Sequence, residues 1–280
     1  MGLFLAIASA IVYGCADFCG GKATRKVSTT AVTFSSQLMG LGVLGVAVWL
    51  VPADGPTWRA LGFGALGGLG GAAGIMLLYH GLAIGTMSIV SPITAVVAAA
   101  IALLVGTVVL GERPGALGMV GIASALVAVV LVSMSPNDGA VVKPLWMVVI
   151  SIGAGIGFGM FFVMLQQAGK PEHVGLWALV AARPMSILVP GVLARRHRQP
   201  LFPSRAAFPL VMLAGVLDQL ANVLYVLAIG GGLLSTVAVL ASLYPVSTVA
   251  LARIIDRERL QRVQVMGLGF ALAGLVMIAL

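Results

Sequence analysis

LAIGTMS, Leu82 to Ser88, and LAIGGGLLS, Leu227 to Ser235, open with the same four residues 145 positions apart. In each, glycine is the main interruption of a long apolar run. The agreement extends outward. Tyr13-Gly14 is echoed by Phe158-Gly159 at the same shift, and Glu112-Arg113, Gly121 and Leu126 return as Glu258-Arg259, Gly267 and Leu272 at a shift of 146. One inserted residue reconciles the whole set, so the chain reads as a tandem duplication: 1–134 forms the first copy, 135–143 (SPNDGAVVK) a linker and 144–280 the second.

Composition decides the solvent. Hydrophobic residues make up 60% of the 280, charged residues 9%, and the mean hydropathy is +1.13. A soluble domain carries about a quarter charged residues, so this is an integral membrane protein. At about 20 apolar residues per helical crossing, the length accommodates roughly ten to twelve short-looped spans and no sizeable soluble domain. A 19-residue hydropathy window gives ten: 2–20, 30–51, 59–82, 88–109, 116–134, 144–166, 174–193, 207–229, 233–254 and 263–280. Trp49, Trp58, Trp146 and Trp177 all fall at span ends, where the amphipathic indole prefers the interface. A five-helix repeat, being odd, enters the membrane in opposite directions in its two copies. That is the inverted-repeat architecture of secondary transporters, in which a midplane site opens alternately to the two sides.

The net charge of +8 lies in short basic clusters between apolar runs, as topology signals and lipid-headgroup contacts rather than as a nucleic-acid surface. Leu3 begins the first span without a basic region before it, so no cleaved signal peptide is expected. Gly62-Phe63-Gly64-Ala65-Leu66-Gly67 spells GxGxxG but lacks the strand and βαβ unit of a dinucleotide site. The same glycines give small-xxx-small spacings at Gly64/Gly68, Gly67/Gly71 and Gly70/Gly74, with others at Gly153/Gly157 and Gly155/Gly159, so spans 59–82 and 144–166 are expected to pack closely. Cys15, Cys19, His80 and the 13 Met leave a soft-metal carrier as a minor alternative, although no pair of them has a metal-ligand spacing, and no cofactor is expected. Glu112-Arg113 and Glu258-Arg259 read as interfacial helix-end charges.

Length, span number, the Tyr/Phe-Gly pair in the first helix of each half and LGERPGALGMVGIASALVAVVLV at 110–132 resemble the drug/metabolite transporter superfamily, in particular its EamA-type members. SLYPVSTVALARIIDRERLQRVQVMGLGFALAGLVMIAL at 242–280 resembles that family's closing pattern, with Pro245 preceding Glu258. The resemblance covers essentially the whole chain. It implies a ten-helix carrier in the plasma or inner membrane that exports, or in some members imports, amino acids, other small metabolites or drugs. It also implies an Arg in the second helix of each half. Arg183 fits in the second half, whereas Gln37 stands at the matching position of the first.

Three charges fall well inside spans, away from their ends; at a helix centre such a charge costs about 2.5 to 3.5 kcal/mol to insert. Arg183 and Asp218 sit near the centres of consecutive antiparallel spans, so they must face the protein interior. They form either a buried structural ion pair or the lining of a central cavity. In the second case Arg183 meets an anionic group of the solute and Asp218 takes a proton or an ammonium group. Gln37, Gln166 and Gln219 are placed to add neutral hydrogen bonds. Asp17, about 9 Å from the midplane by the 1.5 Å helical rise, either snorkels toward Lys22 or Arg25 or faces the pathway. The expected activity is therefore alternating-access transport, as an exporter, of a small polar or amphipathic metabolite such as an amino acid, with proton coupling or plain exchange both open. A lipid flippase and an intramembrane enzyme are the rival classes. The second lacks any HExxH, GxSxG or His/Asp cluster at one depth. The partners implied are the solute and membrane lipid, with no nucleic acid, and a homodimer is left open.

Loops one, three, five, seven and nine carry 12 basic residues against three, Arg59, Arg113 and Lys170, on the opposite face. The positive-inside rule makes the richer face cytoplasmic and places both termini outside. A phosphatase fused at Leu280 is expected to be active and a fluorescent protein fused there dark; the reverse pattern overturns the orientation.

Overall fold

The protein, in a computed structural model, is described over 2–108, scattered positions between 116 and 131, 144–169, 174–230, 241–257 and 262–279. Helices account for nearly all of it, with no strand among the described residues. In chain order they are α1 (Gly2–Thr24), α2 (Thr29–Leu50), α3 (Trp58–Ile84), α4 (Met87–Val108), α5 (Pro144–Ala168), α6 (Trp177–Arg196), α7 (Phe208–Gly230), α8 (Pro245–Ile255) and α9 (Arg262–Ala279). Six of them, α1 to α3 and α5 to α7, are long and apolar enough to cross a membrane. The ninth span expected from the sequence, 233–254, is represented by α8 alone, because 231–240 lie outside the described residues. So do Glu112-Arg113, Glu258-Arg259 and most of the fifth span.

Local chemistry sets the helix ends. Ser28 caps α2 by accepting from the Ala31 amide at 3.4 Å, and Thr57 caps α3 by accepting from that of Ala60 at 3.1 Å. The glycine break at LAIGTMS is real: α3 ends at Ile84, Gly85 is extended, and α4 resumes at Met87. Proline lies inside α4 (Pro92) and α6 (Pro184, Pro190), each removing one ladder hydrogen bond. Such losses are tolerated in membrane helices where neighbours supply partners.

The helices pair in a definite pattern. α3 lies along α5 and α6, α7 lies along α1 and α2, α4 packs on α5, and α8 packs on α1. In lipid no hydrophobic drive holds helices together, so close backbone approach and interhelical hydrogen bonds must do so. Gly68 of α3 sits against the Ala182 backbone of α6, where an added Cβ would overlap the carbonyl. Gly157 of α5 meets the backbone of Gly74 of α3 with as little room. α8 is tied to α1 by Thr248 Oγ1 donating to the Gly14 carbonyl at 3.2 Å. Beyond the core, Trp58 (90% exposed), Trp49 (84%) and Phe4 (72%) point outward, as side chains facing lipid do.

One end of the bundle is closed by polar contacts. Lys22 Nζ and Arg25 Nη1 of the α1 end donate to Asp256 at 2.6 and 3.0 Å. Thr30 Oγ1 donates to Gln199 Oε1 at 2.5 Å and Ser35 Oγ to the Leu201 carbonyl at 3.1 Å.

The α3–α6 crossing gives a sharp test. Gly68→Leu is expected to lower the melting temperature in detergent, at a cost of about 1–3 kcal/mol for overpacking. Gly62→Ala, with nothing within 4 Å of the new methyl, is expected to leave it unchanged or slightly raised, since Gly costs about 0.5–1 kcal/mol relative to Ala within a helix. Equal melting points for the two variants would contradict the packing.

Candidate functional site

The charged residues of the spans meet in one place. Asp17 of α1, Gln37 of α2, Arg183 of α6 and Asp218 of α7 all line a single cavity between the helices. The open space within it is about 40 Å³, room for a few waters in this conformation.

Arg183 and Asp218 do not form the direct ion pair that was one of the two expectations. Arg183 Nη1 donates to Gln37 Oε1, and Gln37 Nε2 in turn donates to Asp218 Oδ2 at a long 3.4 Å. A primary amide can do this because it carries an acceptor and a donor at one end. The amide thus links the cation to the carboxylate while leaving both against the cavity. Arg183 is 5% exposed, and its Nε has no hydrogen-bond partner among the described residues.

Asp17 does not snorkel to a helix-end cation. Lys22 and Arg25, the two candidates, are held by Asp256, and Lys22 Nζ also lies 5.2 Å from the centre of the Phe18 ring. The short aspartate stem cannot follow the longer lysine toward the interface. Asp17 is 7% exposed, lines the cavity, and has no hydrogen-bond partner among the described residues.

Gln219 is placed elsewhere. It is fully buried, with its Cβ 3.1 Å from where a methyl on Gly40 of α2 would sit. Its amide nitrogen and oxygen find no partner among the described residues, and the cavity lining includes its neighbour Asp218 but not Gln219. One residue along a helix turns a side chain by about 100°, enough to move it off the lining face.

Four polar groups of the cavity, Tyr13, Ser186, Asn222 and Tyr244, were not among the site candidates read from the sequence. Tyr13 OH donates to Asn222 Oδ1 at 2.9 Å, and Asn222 Nδ2 donates to the Asp218 carbonyl at 2.7 Å. Both were within reach of helical spacing: Tyr13 precedes Asp17 by four residues and Asn222 follows Asp218 by four, so each shares a face with its carboxylate. Tyr244 adds a ring whose centroid is 6.3 Å from that of Tyr13. The remaining lining is Ser186 of α6 and a wall from α3 and α5, with Ile75, Phe158, Phe161 and Phe162 and the bare backbone of Gly71. Among the described residues no group of three or more His, Cys, Asp or Glu is arranged to hold a metal.

Such an arrangement can bind a small solute through one guanidinium, two carboxylates and neutral donors, with aromatic surface opposite. Comparison with known proteins agrees with that kind of role. The sequence matches the EamA-like transporter family over residues 1–134 and again over 145–280. No curated protein matches the chain. A solved crystal structure, described only as that of a protein, superposes with a TM-score of 0.69 over 99% of this chain and 96% of that one at 15% identity, a likeness of fold.

Gln37→Leu is expected to lower the melting temperature in detergent, because the buried Arg183 loses its acceptor; the cost of such a loss is about 1–3 kcal/mol. Gln37→Glu keeps an acceptor oxygen and is expected to restore most of it. A Gln37→Leu protein as stable as the parent would show that the bond has no energetic weight.

Proposed function

Because the chain belongs to the EamA-like transporter family, and is therefore a multi-pass membrane protein of a transporter family, we propose that it works as a secondary transporter by alternating access. Its solute is a small polar or amphipathic metabolite, its direction is export, and its membrane is the plasma or inner membrane. The observation that carries this reading is the Arg183–Gln37–Asp218 chain of hydrogen bonds, buried between helices yet lining a cavity. Ionisable groups at that depth mark substrate and ion pathways more often than struts.

Two inverted five-helix halves supply the mechanism. Several contacts support them. The family match occurs twice, once per half. A shift of 145 or 146 takes α1, α2 and α3 onto α5, α6 and α7, and the packing of α3 on α5 and α6 is answered by that of α7 on α1 and α2. Gln37 and Arg183 are 146 residues apart and hydrogen-bonded; Ser124 Oγ and the Phe270 carbonyl, also 146 apart, are 2.8 Å from one another. Two residues exchanged by a two-fold axis can touch only beside that axis. The pseudo-two-fold therefore runs through the charged cluster, so rocking one half against the other exposes the same side chains first to one side and then to the other. A carboxylate shut into that space without a cation is costly, which leaves Asp218 or Asp17 to exchange a proton against the solute, or the solute itself to exchange.

A double-mutant cycle on Asp218→Asn and Arg183→Gln tests the proposal, read by melting temperature in detergent and by flux in proteoliposomes. The flux solutes are those that raise the melting point in a panel of amino acids, nucleosides, sugars and lipids. Each single variant is expected to lose stability and the double variant to recover much of it while its flux stays at least tenfold below the parent's. Near-parental flux in the double variant would make the cluster a strut.

A further inference from the structure

The two walls of the cavity are chemically opposite. On one side α1 contributes Tyr13 and Asp17, and α7 contributes Asp218 and Asn222. On the other, α3 contributes Gly71 and Ile75 and α5 contributes Phe158, Phe161 and Phe162; a shift of 145 takes Tyr13 and Asp17 to Phe158 and Phe162. The α1–α7 wall thus gives the lining only side chains with a polar group, and the α3–α5 wall only apolar side chains or glycine. Gln37 and Arg183, the pair that touches, lie on the seam between them.

Resting on the transport reading of this cavity, we infer that its solute is an amphipathic amine, with the cationic nitrogen against Asp17 and Asp218 and the apolar body against Ile75, Phe158, Phe161 and Phe162. Charge supports the polarity of binding. The lining holds two carboxylates and one guanidinium, and Gln37 already accepts from that guanidinium. Asp17 has no partner among the described residues, and the nearby cations Lys22 and Arg25 are bound to Asp256. A solute bringing one positive charge would supply what the wall lacks. The tilted rings of Tyr13 and Tyr244 at that wall favour a cation further. On the opposite wall Phe161 and Phe162 lie 5.5 Å apart between centroids, and Phe162 also rests 5.0 Å from the buried Tyr225 of α7, so this apolar surface is held by packed rings. A purely anionic solute would leave both aspartates unanswered.

Four matched compounds separate the walls: 2-phenylethylammonium, phenylalanine, 3-phenylpropionate and ethylammonium, each added to the purified full chain in detergent and read as melting temperature and affinity. 2-Phenylethylammonium and phenylalanine are expected to bind, at least tenfold tighter than the anion or the short amine. Asp17→Asn is expected to weaken 2-phenylethylammonium at least tenfold, and Phe162→Ala to narrow its advantage over ethylammonium. Should either variant not fold, the ranking on the unmodified chain decides alone. Binding of 3-phenylpropionate as tight as that of the amines, binding of ethylammonium as tight as that of 2-phenylethylammonium, or no binding by any of the four overturns the inference. If another solute is then moved in proteoliposomes and the Asp218→Asn, Arg183→Gln double variant stops it, the transport reading survives that failure. Amines that bind but are never moved leave the solute class standing and remove the transport reading instead.

Discussion

A guanidinium buried in a membrane protein must find acceptors or it will not stay there, and the acceptor that Arg183 finds first is an amide. Gln37 accepts a hydrogen bond from it and donates one to Asp218, so three helices, α2, α6 and α7, are joined through one side chain. A direct Arg–Asp pair would hold these helices as firmly, but it would neutralise both charges against each other. The amide keeps them apart, and both remain on the surface of the cavity. This constraint dictates much of the surroundings: the polar ends must point inward, the aromatic rings must fill the opposite wall, and the outer surface is left to tryptophan, phenylalanine and aliphatic residues.

The same centre needs a scaffold that brings helices close without a hydrophobic drive. Glycine supplies this at the α3 contacts with α5 and α6, where backbone meets backbone. The tightness of those crossings favours rigid-body movement of packed groups over gradual bending, because close-packed interfaces rearrange as units. The charged contacts of Lys22 and Arg25 with Asp256 sit at one end of the bundle and are independent of the central cluster. They are the kind of polar latch that rocking of two halves would have to break and remake.

Much of the site was visible in the chain before any coordinates, since a charge within an apolar run declares itself. Asp17, Arg183 and Asp218 could be named because each pays a desolvation cost that only an interior or a pathway justifies. Tyr13 and Asn222 were less visible because neutral polar residues are common in membrane helices, though their spacing of four from an aspartate placed them on the same face. Gln219 shows the limit of that reading: adjacent to Asp218 and equally polar, it points at α2 instead.

Sequence alone determined the solvent and the helical class, because hydropathy is a property of the order of residues and needs no partner. It also located the charges that had to be buried. Which of them meet was decided only by the tertiary structure. Whether Arg183 touches Asp218 or Gln37, and whether Asp17 reaches Lys22 or the cavity, depends on helix rotations and crossings set by contacts between residues more than a hundred positions apart. A helix periodicity says which residues share a face; only packing says what that face sees.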